Sequence, residues 1–262
     1  MSVAKPLPVD IRLMNAVASL LLTMGVFACL GAGAWWALRH PAFALQGITV
    51  DGEITRNNAL TLKNNVVPQL RGNFFTLELD RTRQAFESVP WVRSAVVHRE
   101  FPNRLRVQLH EQHPVALWGD EGGNALLNQQ GQVFDANLGE VEADGLPRLK
   151  GPADQSQQVL AMYQTLRPVL QAFDMDMDRL ELSPRGSWKL VTAQDAVIEL
   201  GRDQTPELVA QLQTFLRTLP QITSRYGRTP KSLAAADLRH KDGYALRLQG
   251  VTTTEGDPRK KP

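Results

Sequence analysis

The sequence predicts an α+β protein with a single N-terminal transmembrane helix, a small α+β module, and a larger domain in which a mixed β-sheet packs against two helices. Three observations carry this prediction. The 26 residues from Leu13 to Leu38 include no charged side chain. Segments typical of strand, helix, helix, strand and strand follow in that order. In the last of these strands, apolar Leu105, Val107 and Leu109 alternate with polar residues, which is the period of a half-buried strand.

The uncharged run is long enough to cross a bilayer. As a helix it reaches about 39 Å at about 1.5 Å per residue, against a hydrocarbon core of about 30 Å. A secretory signal has only about 7–15 apolar residues before its cleavage site, so Ala32-Gly33-Ala34 is not read as one. Trp35 and Trp36 are typical of an interfacial anchor. We therefore predict an uncleaved anchor, and the flanking basic residues weakly favour a short tail inside and the large body outside.

The composition after the anchor excludes several classes of function. Setting aside Lys5, Arg12, Arg39 and Asp10 from the 29 basic and 27 acidic residues leaves 26 of each. A body without net charge is a poor candidate for nucleic-acid binding, which needs a basic face. The only cysteine, Cys29, lies inside the apolar run, so the body has neither a disulfide nor a thiol nucleophile.

The small module begins with a strand predicted from Phe43 to Val50. Thr55 is predicted to cap a short helix that carries Leu60 and Leu62, and Asp80 a second helix that runs through Phe86. The chain then forms a strand from Val92 to Phe101, a turn at Pro102-Asn103, and the alternating strand from Arg104 to His110.

The larger domain has a different pattern after Pro114. A helix is predicted after Gly151-Pro152, with a kink at Pro168. Thr205-Pro206-Glu207 is predicted to open a second helix that stops before Pro220. Short strands are predicted at Val115 to Trp118, Asn124 to Leu127, Val133-Phe134, Arg179 to Leu182, Ser187 to Val191, Ala196 to Leu200, Lys231 to Arg239 and Gly243 to Leu248.

Two groups of polar residues resemble metal sites and fail on spacing. His110 and His113 are three residues apart, whereas a helical zinc motif uses four, and on a strand these two side chains face opposite sides. Asp174 to Asp178 resembles the start of a calcium loop, but Arg179 and Arg185 occupy the positions that need Gly and Glu. We predict no metal, no cofactor and no catalytic residue, since no nucleophile elbow or phosphate loop is present either.

The order of motifs along the chain resembles the bacterial FtsQ/DivIB family of cell-division proteins. The likeness extends from Arg12 to about Leu248. The matching residues are Ile48 to Gly52, Pro90 to Arg93, Phe101 to Leu105, Glu111 with Pro114 to Ala116 and Trp118, Pro147 to Pro152, Trp188, Leu200 to Arg202, and Ala236 to Arg239.

The resemblance implies a non-enzymatic scaffold in the inner membrane with type II topology and a periplasmic body at the division septum. It implies that the small module is a POTRA domain, near which FtsK and other division proteins meet the chain. It implies that the larger β-domain joins FtsB and FtsL. The expected parts are a cytoplasmic tail at 1–12, the transmembrane helix at 13–38, the POTRA domain at 43–113, the β-domain at 114–249 and a polar tail at 250–262.

The resemblance also places the contact with FtsB at the final strand, from Gly243 to Leu248. As the last strand of an open sheet, this segment has one unpaired edge that a partner strand can extend. The implied contact residues are Arg185, Arg239, His240, Asp242, Gly243, Tyr244 and Ala245, with Arg185 meeting an acidic part of the partner. The family often has an aromatic residue at the position of His240 and a small one at that of Tyr244. Either the aromatic contact has moved or the interface is weaker at neutral pH.

Two other classes of protein remain as alternatives. POTRA modules also occur in export and envelope-assembly factors, which carry tandem modules or end in a long barrel. A membrane-anchored cell-wall hydrolase would need a paired acid, for which Glu111 and Asp120 are the candidates. The single module argues against an export or assembly factor, and the absence of a sequence pattern that pairs the acids argues against a hydrolase.

Overall fold

The computed structural model describes residues 9–38, 40–52, 55–56, 59–140, 145–240 and 243–251. Helix α1 spans Val9–Leu38, and its segment Leu13–Trp36 is long and apolar enough to cross a membrane, with a mean hydropathy of 2.0 and no burial within the protein. The chain divides into two compact units, one up to Glu111 and one from Gln112 onward. The predicted uncharged helix is present, and it begins four residues earlier than the run itself.

The first unit contains a three-stranded sheet and two short helices. Their bounds are β1 (Gly47–Gly52), α2 (Ala59–Val66), α3 (Leu79–Glu87), β2 (Val92–Glu100) and β3 (Arg104–Glu111). The strand order is β1-β3-β2, in which β1 runs parallel to β3 and β2 antiparallel to it. This arrangement confirms the predicted order of strand, helix, helix, strand and strand.

The core of the first unit follows the predicted alternation. Leu105, Val107 and Leu109 on β3 have no exposed surface, while the intervening residues are exposed or half-exposed. Phe86 of α3 and Val66 of α2 are buried in the same core as Val107 and Leu109. The central strand therefore buries one face under the two helices and leaves the other to solvent.

The structure corrects the predicted starts of three elements in this unit. Strand β1 begins at Gly47, because Pro41–Phe43 forms a 3-10 turn. Helix α2 begins at Ala59, and the backbone N–H of Thr55 instead donates to the Glu111 carboxylate. The residue before α3 is Glu78, so Asp80 lies in the first helical turn, where its charge favours the helix dipole.

The second unit contains a nine-stranded sheet in the order β12-β11-β10-β9-β8-β7-β4-β5-β6. Its elements are β4 (Pro114–Trp118), β5 (Ala125–Asn128), β6 (Val133–Asp135), β7 (Arg148–Lys150), α4 (Ser156–Gln171), β8 (Met177–Leu182), β9 (Trp188–Thr192), β10 (Val197–Gly201), α5 (Thr205–Arg225), β11 (Leu233–Asp237) and β12 (Ala245–Leu248).

Each of the two long helices connects a pair of parallel strands. Helix α4 joins β7 to β8, and α5 joins β10 to β11. Their apolar stripes, which include Leu166 and Leu170 on α4 and Leu212 and Phe215 on α5, share one core with the sheet. The predicted mixed sheet with two packed helices is confirmed.

The helix α5 continues past the proline at which it was predicted to stop. Pro220 lies inside the helix, which ends at Arg225. Leu219 and Thr223 are buried on either side of it, and the Thr223 hydroxyl donates to the Leu219 carbonyl at 3.0 Å. The packing of this last stretch offsets the lost backbone hydrogen bond. Pro168 also lies within its helix. The sequence pattern did not predict the three-residue strand β7.

Candidate binding surface at the edge of the larger sheet

Strand β12 forms one edge of the nine-stranded sheet. It pairs antiparallel with β11 on one side, and no other strand in the described part of the chain pairs with its outer side. Leu246 and Leu248 turn toward the core, whereas Ala245 and Arg247 are exposed. The predicted final strand is therefore an edge strand with alternating side chains, and its free backbone groups are available to a partner.

Arg239 lies at the start of the connection from β11 to β12 and is held by Asp237. Its Nε donates to Asp237 Oδ1 at 2.9 Å and its Nη2 donates to Oδ2 at 2.5 Å. These hydrogen bonds from the guanidinium lower the pKa of the Asp237 carboxyl to about 2. Since 55% of the Arg239 side chain stays exposed, a preoriented cation faces solvent beside the strand edge.

Tyr244 does not extend freely from the edge. Its ring contacts Phe215 of α5 edge-to-face, with centroids 5.0 Å apart, and its hydroxyl shares a short hydrogen bond with the Thr218 hydroxyl. The side chain is half-buried. The helix therefore fixes the aromatic ring at the entrance to β12, where one side of it still faces outward.

His240 and Gly243 are exposed on the same connection, and Ala245 is exposed at the start of β12. The His240 carbonyl accepts a hydrogen bond from the Gln211 side chain of α5 at 3.4 Å. A groove of about 730 Å³ opens between α5 and this connection, lined in part by Gln211, His240 and Tyr244. The predicted contact residue Asp242 lies outside the described residues.

Arg185 lies in the exposed turn between β8 and β9. The turn is closed by Gly186 N–H donating to the Ser183 carbonyl at 2.9 Å. The first residue of β9, Trp188, pairs with the last residue of β10, Gly201. Glu199 of β10 pairs with Asp237 at the end of β11, and Asp237 pairs with Ala245 at the start of β12. This turn and the β11–β12 connection therefore lie at the same end of the sheet. Three interstrand spacings of about 4.8 Å separate β9 from β12. Arg185 is therefore not in contact with the others, but one partner can span both places.

The residues that support this surface were not predicted from the sequence. Asp237 orients Arg239, while Phe215 and Thr218 orient Tyr244. The pairing of Asp237 with Arg239 had a signal in the sequence, because both lie on the predicted strand from Lys231 to Arg239, where residues two apart share a face. The contacts from α5 had none, since they join residues about 26 positions apart.

The two candidate acids, Glu111 and Asp120, both have partners within the fold. The buried Glu111 carboxylate accepts N–H groups from Thr55 and Arg56 at 3.1 Å each. Gln112 accepts a hydrogen bond from the buried Asn128 side chain at 2.8 Å. Asp120 pairs with Lys150 and raises the pKa of that amine. Within the described ranges, no cluster of three or more His, Cys, Asp or Glu side chains is placed to hold a metal.

The fold and this surface together define a class: a single-pass membrane-anchored protein with a POTRA module and a β-domain whose last described strand, β12, lies at a sheet edge. Comparison with known proteins agrees with each part. Residues 43–112 match the FtsQ-type POTRA domain, and residues 116–239 match the family model for the C-terminal part of cell division protein FtsQ/DivIB.

Whole-chain relatives extend the likeness beyond those two domains. The chain is 40% identical over 251 residues to cell division protein FtsQ of Thiomonas arsenitoxydans, covering 94% of this chain and 90% of that protein. It is 36% identical over 254 residues to FtsQ of Burkholderia pseudomallei, covering 96% and 99%. It is 36% identical over 257 residues to FtsQ of Bordetella pertussis, covering 91% and 92%. The chain belongs to the FtsQ/DivIB family of cell-division proteins.

Proposed function

We propose that this chain is a non-enzymatic divisome scaffold of the inner membrane. It joins FtsB and FtsL through its second unit and links early and late division proteins during septum formation. The family membership supports a role in division. The observation that carries the finer proposal is the open outer edge of β12 at the end of the larger sheet.

In this proposal a strand of FtsB adds to β12. Its backbone groups complete the ladder along Ala245 to Leu248, and its alternate side chains meet the exposed Ala245 and Arg247 on one face. Because β12 is already paired and packed, the added strand orders only itself. A preorganised edge of this kind lowers the entropic cost of binding.

The residues around the start of β12 give the contact its specificity. Tyr244 presents a ring that Phe215 and Thr218 already hold in place, as a hot-spot aromatic residue should be. Arg239, held by Asp237, offers a guanidinium to a carboxylate on the partner. Arg185 meets an acidic part of the partner at the same end of the sheet, while His240, Asp242 and Gly243 complete the proposed contact.

The remaining parts of the proposal concern the other segments of the chain. Residues 1–12 form the cytoplasmic tail, and the helix from Leu13 to Leu38 anchors the protein with its body in the periplasm. The proposed POTRA domain, 43–113, is the side on which FtsK and other division proteins meet the chain. The β-domain, 114–249, carries the FtsB contact, and 250–262 is a polar tail.

Photo-crosslinking in living cells tests the strand-addition site. A photoreactive phenylalanine at Arg247 is expected to capture FtsB, because that side chain is exposed on β12. The matched control is the same residue at Val133, which is exposed on β6 at the opposite edge of the sheet. We expect Ala245→Asp to abolish the adduct, while Val133→Asp leaves it unchanged.

Two outcomes would overturn the proposal. If FtsB were captured equally from positions 247 and 133, the crosslinking would not be specific to the β12 edge of the sheet. An adduct and normal division in the Ala245→Asp strain would show that the strand edge is not the contact.

The Tyr244→Phe variant is expected to weaken FtsB binding about threefold to tenfold, because it loses one hydrogen bond that holds the ring.

A further inference from the structure

An aromatic patch lies at one end of the first unit. It consists of Phe43, Phe74, Phe75 and Phe101. Phe43 contacts Phe75 with ring centroids 4.9 Å apart, Phe74 contacts Phe75 at 5.2 Å, and Phe74 contacts Phe101 at 6.1 Å, all edge-to-face. Two members face outward, since Phe75 is 44% exposed and Phe101 is 74% exposed.

The patch is a built feature of the fold. The backbone N–H of Phe74 donates to the Phe43 carbonyl at 2.9 Å, and that of Gln46 donates to the Asn103 carbonyl at 3.0 Å. Arg99 donates to the carbonyls of Phe74 and Leu77 at 2.8 and 2.6 Å. These bonds fix three separate chain segments beside one another, so the exposed rings keep their positions.

The same end of the unit is where the chain leaves its membrane helix. Gly47 pairs with Arg104, and Arg104 pairs with Glu100, so the start of β1 and the β2–β3 turn that carries Phe101 lie together. Helix α1 ends at Leu38, five residues before Phe43. Five residues span at most about 18 Å, and the headgroup layer alone is about 5–8 Å thick on each side.

We propose that this aromatic patch inserts into the interfacial layer of the bilayer that α1 spans, and so fixes the first unit against the membrane. Aromatic side chains favour that layer. The tether keeps Phe43, the first member of the patch, within about 18 Å of the end of α1. Insertion removes two exposed phenylalanine rings from water, which explains why a small domain keeps them on its surface.

The occupant follows from the tether. A protein partner would have to compete with lipid that the covalent link holds within about 18 Å of Phe43. The patch also differs from the rest of the unit, where exposed residues such as Arg83 and Arg106 form ion pairs in solvent. Phe43, Phe75 and Phe101 therefore form an aromatic end of the domain, whereas the other exposed large apolar residues described in this unit after α1, Val67 and Val96, are single aliphatic side chains.

Fluorine NMR on the full-length protein in lipid nanodiscs tests the proposal. Trifluoromethyl-phenylalanine replaces Phe75 or Phe101, which keeps an aromatic ring at each site. A gadolinium chelate on the lipid headgroups then broadens fluorine signals that lie near the bilayer surface. The matched control is the same residue at Val96, which is 41% exposed on β2 of the same unit.

We expect broadening at positions 75 and 101 to be several times that at position 96. A second variant, Phe101→Asp, is expected to reduce the broadening at position 75, because a carboxylate is expelled from the interface. Its thermal unfolding, compared with that of Phe101→Ser, separates loss of insertion from loss of folding. Equal broadening at all three positions, or signals at 75 and 101 unaffected by both the chelate and Phe101→Asp, would overturn the proposal.

Discussion

The two units of this protein build the same kind of layer at different sizes. In each, helices cover one face of a sheet. The first unit does so with three strands and a described core of at least nine buried apolar residues, and the second with nine strands and at least 28. Since a larger domain buries a greater fraction of its surface, the second unit has more stability to spare. The second unit can therefore leave an edge strand exposed. The first unit depends more on polar contacts, such as those of Glu111 with the backbone of Thr55 and Arg56, to hold its loops.

The largest expected effect comes from removing one buried ring from each unit. Phe86→Ala and Phe215→Ala each delete a side chain with almost no exposed surface and are expected to cost about 3–5 kcal/mol. The first unit is expected to lose its protected amides, whereas the second keeps most of its own. Hydrogen exchange of the full-length protein, resolved by segment, measures both.

The control for this pair is Tyr226→Ala, which removes a ring that is 53% exposed and should change stability by less than about 0.5 kcal/mol. Comparable loss of amide protection in the two units would contradict this expectation, because it would mean that the larger core gives the second unit no additional stability.

A smaller effect is expected from the buried carboxylate of the first unit. Glu111→Gln keeps the shape but turns an N–H group toward the backbone N–H groups of Thr55 and Arg56, and should cost about 1.5–3 kcal/mol. Denaturant unfolding, monitored by a probe in the first unit, measures this change in the free energy of unfolding. Glu100→Gln, at an exposed ion pair with Arg106, is the control and should cost no more than about 1 kcal/mol. Equal losses of stability in Glu111→Gln and Glu100→Gln would mean that the buried Glu111 carboxylate stabilises the first unit no more than an exposed ion pair does.

The smallest effect concerns the pairing of Asp237 with Arg239 beside the proposed binding edge. Asp237→Asn weakens the hold on Arg239 and should cost at most about 1 kcal/mol, because Arg239 is largely in solvent. The pKa of Asp237 is lowered to about 2 in the folded protein. Its contribution is therefore fully present above the ordinary carboxyl pKa near 4 and lost as pH falls toward 2.

Unfolding of wild type and Asp237→Asn at a series of pH values measures this difference. It should be constant from pH 5 to 8 and disappear near pH 2, because the ionised Asp237 carboxylate is the acceptor for Arg239. A difference that persists at pH 2 would mean that the Arg239 contact does not depend on the ionised carboxylate.

Patterns within single elements were predictable from the sequence, and contacts between distant elements were not. The alternation of Leu105, Val107 and Leu109 gave the central strand of the first unit because its period is local. The end of α5 was misplaced because packing of Thr223, which no local rule encodes, carries the helix past Pro220. For the same reason the position of the final strand was found, but the support of Tyr244 by Phe215 and Thr218 was not.

The position of β12 in chain order has a consequence for synthesis. Every other described strand precedes it, and β11 reaches its place beside β10 only after α5 has crossed the sheet. A nascent chain that has not passed Ala245 ends its sheet at β11, with different side chains and the opposite strand direction. A protein that binds this edge therefore distinguishes chains that include β12 from chains that stop before it.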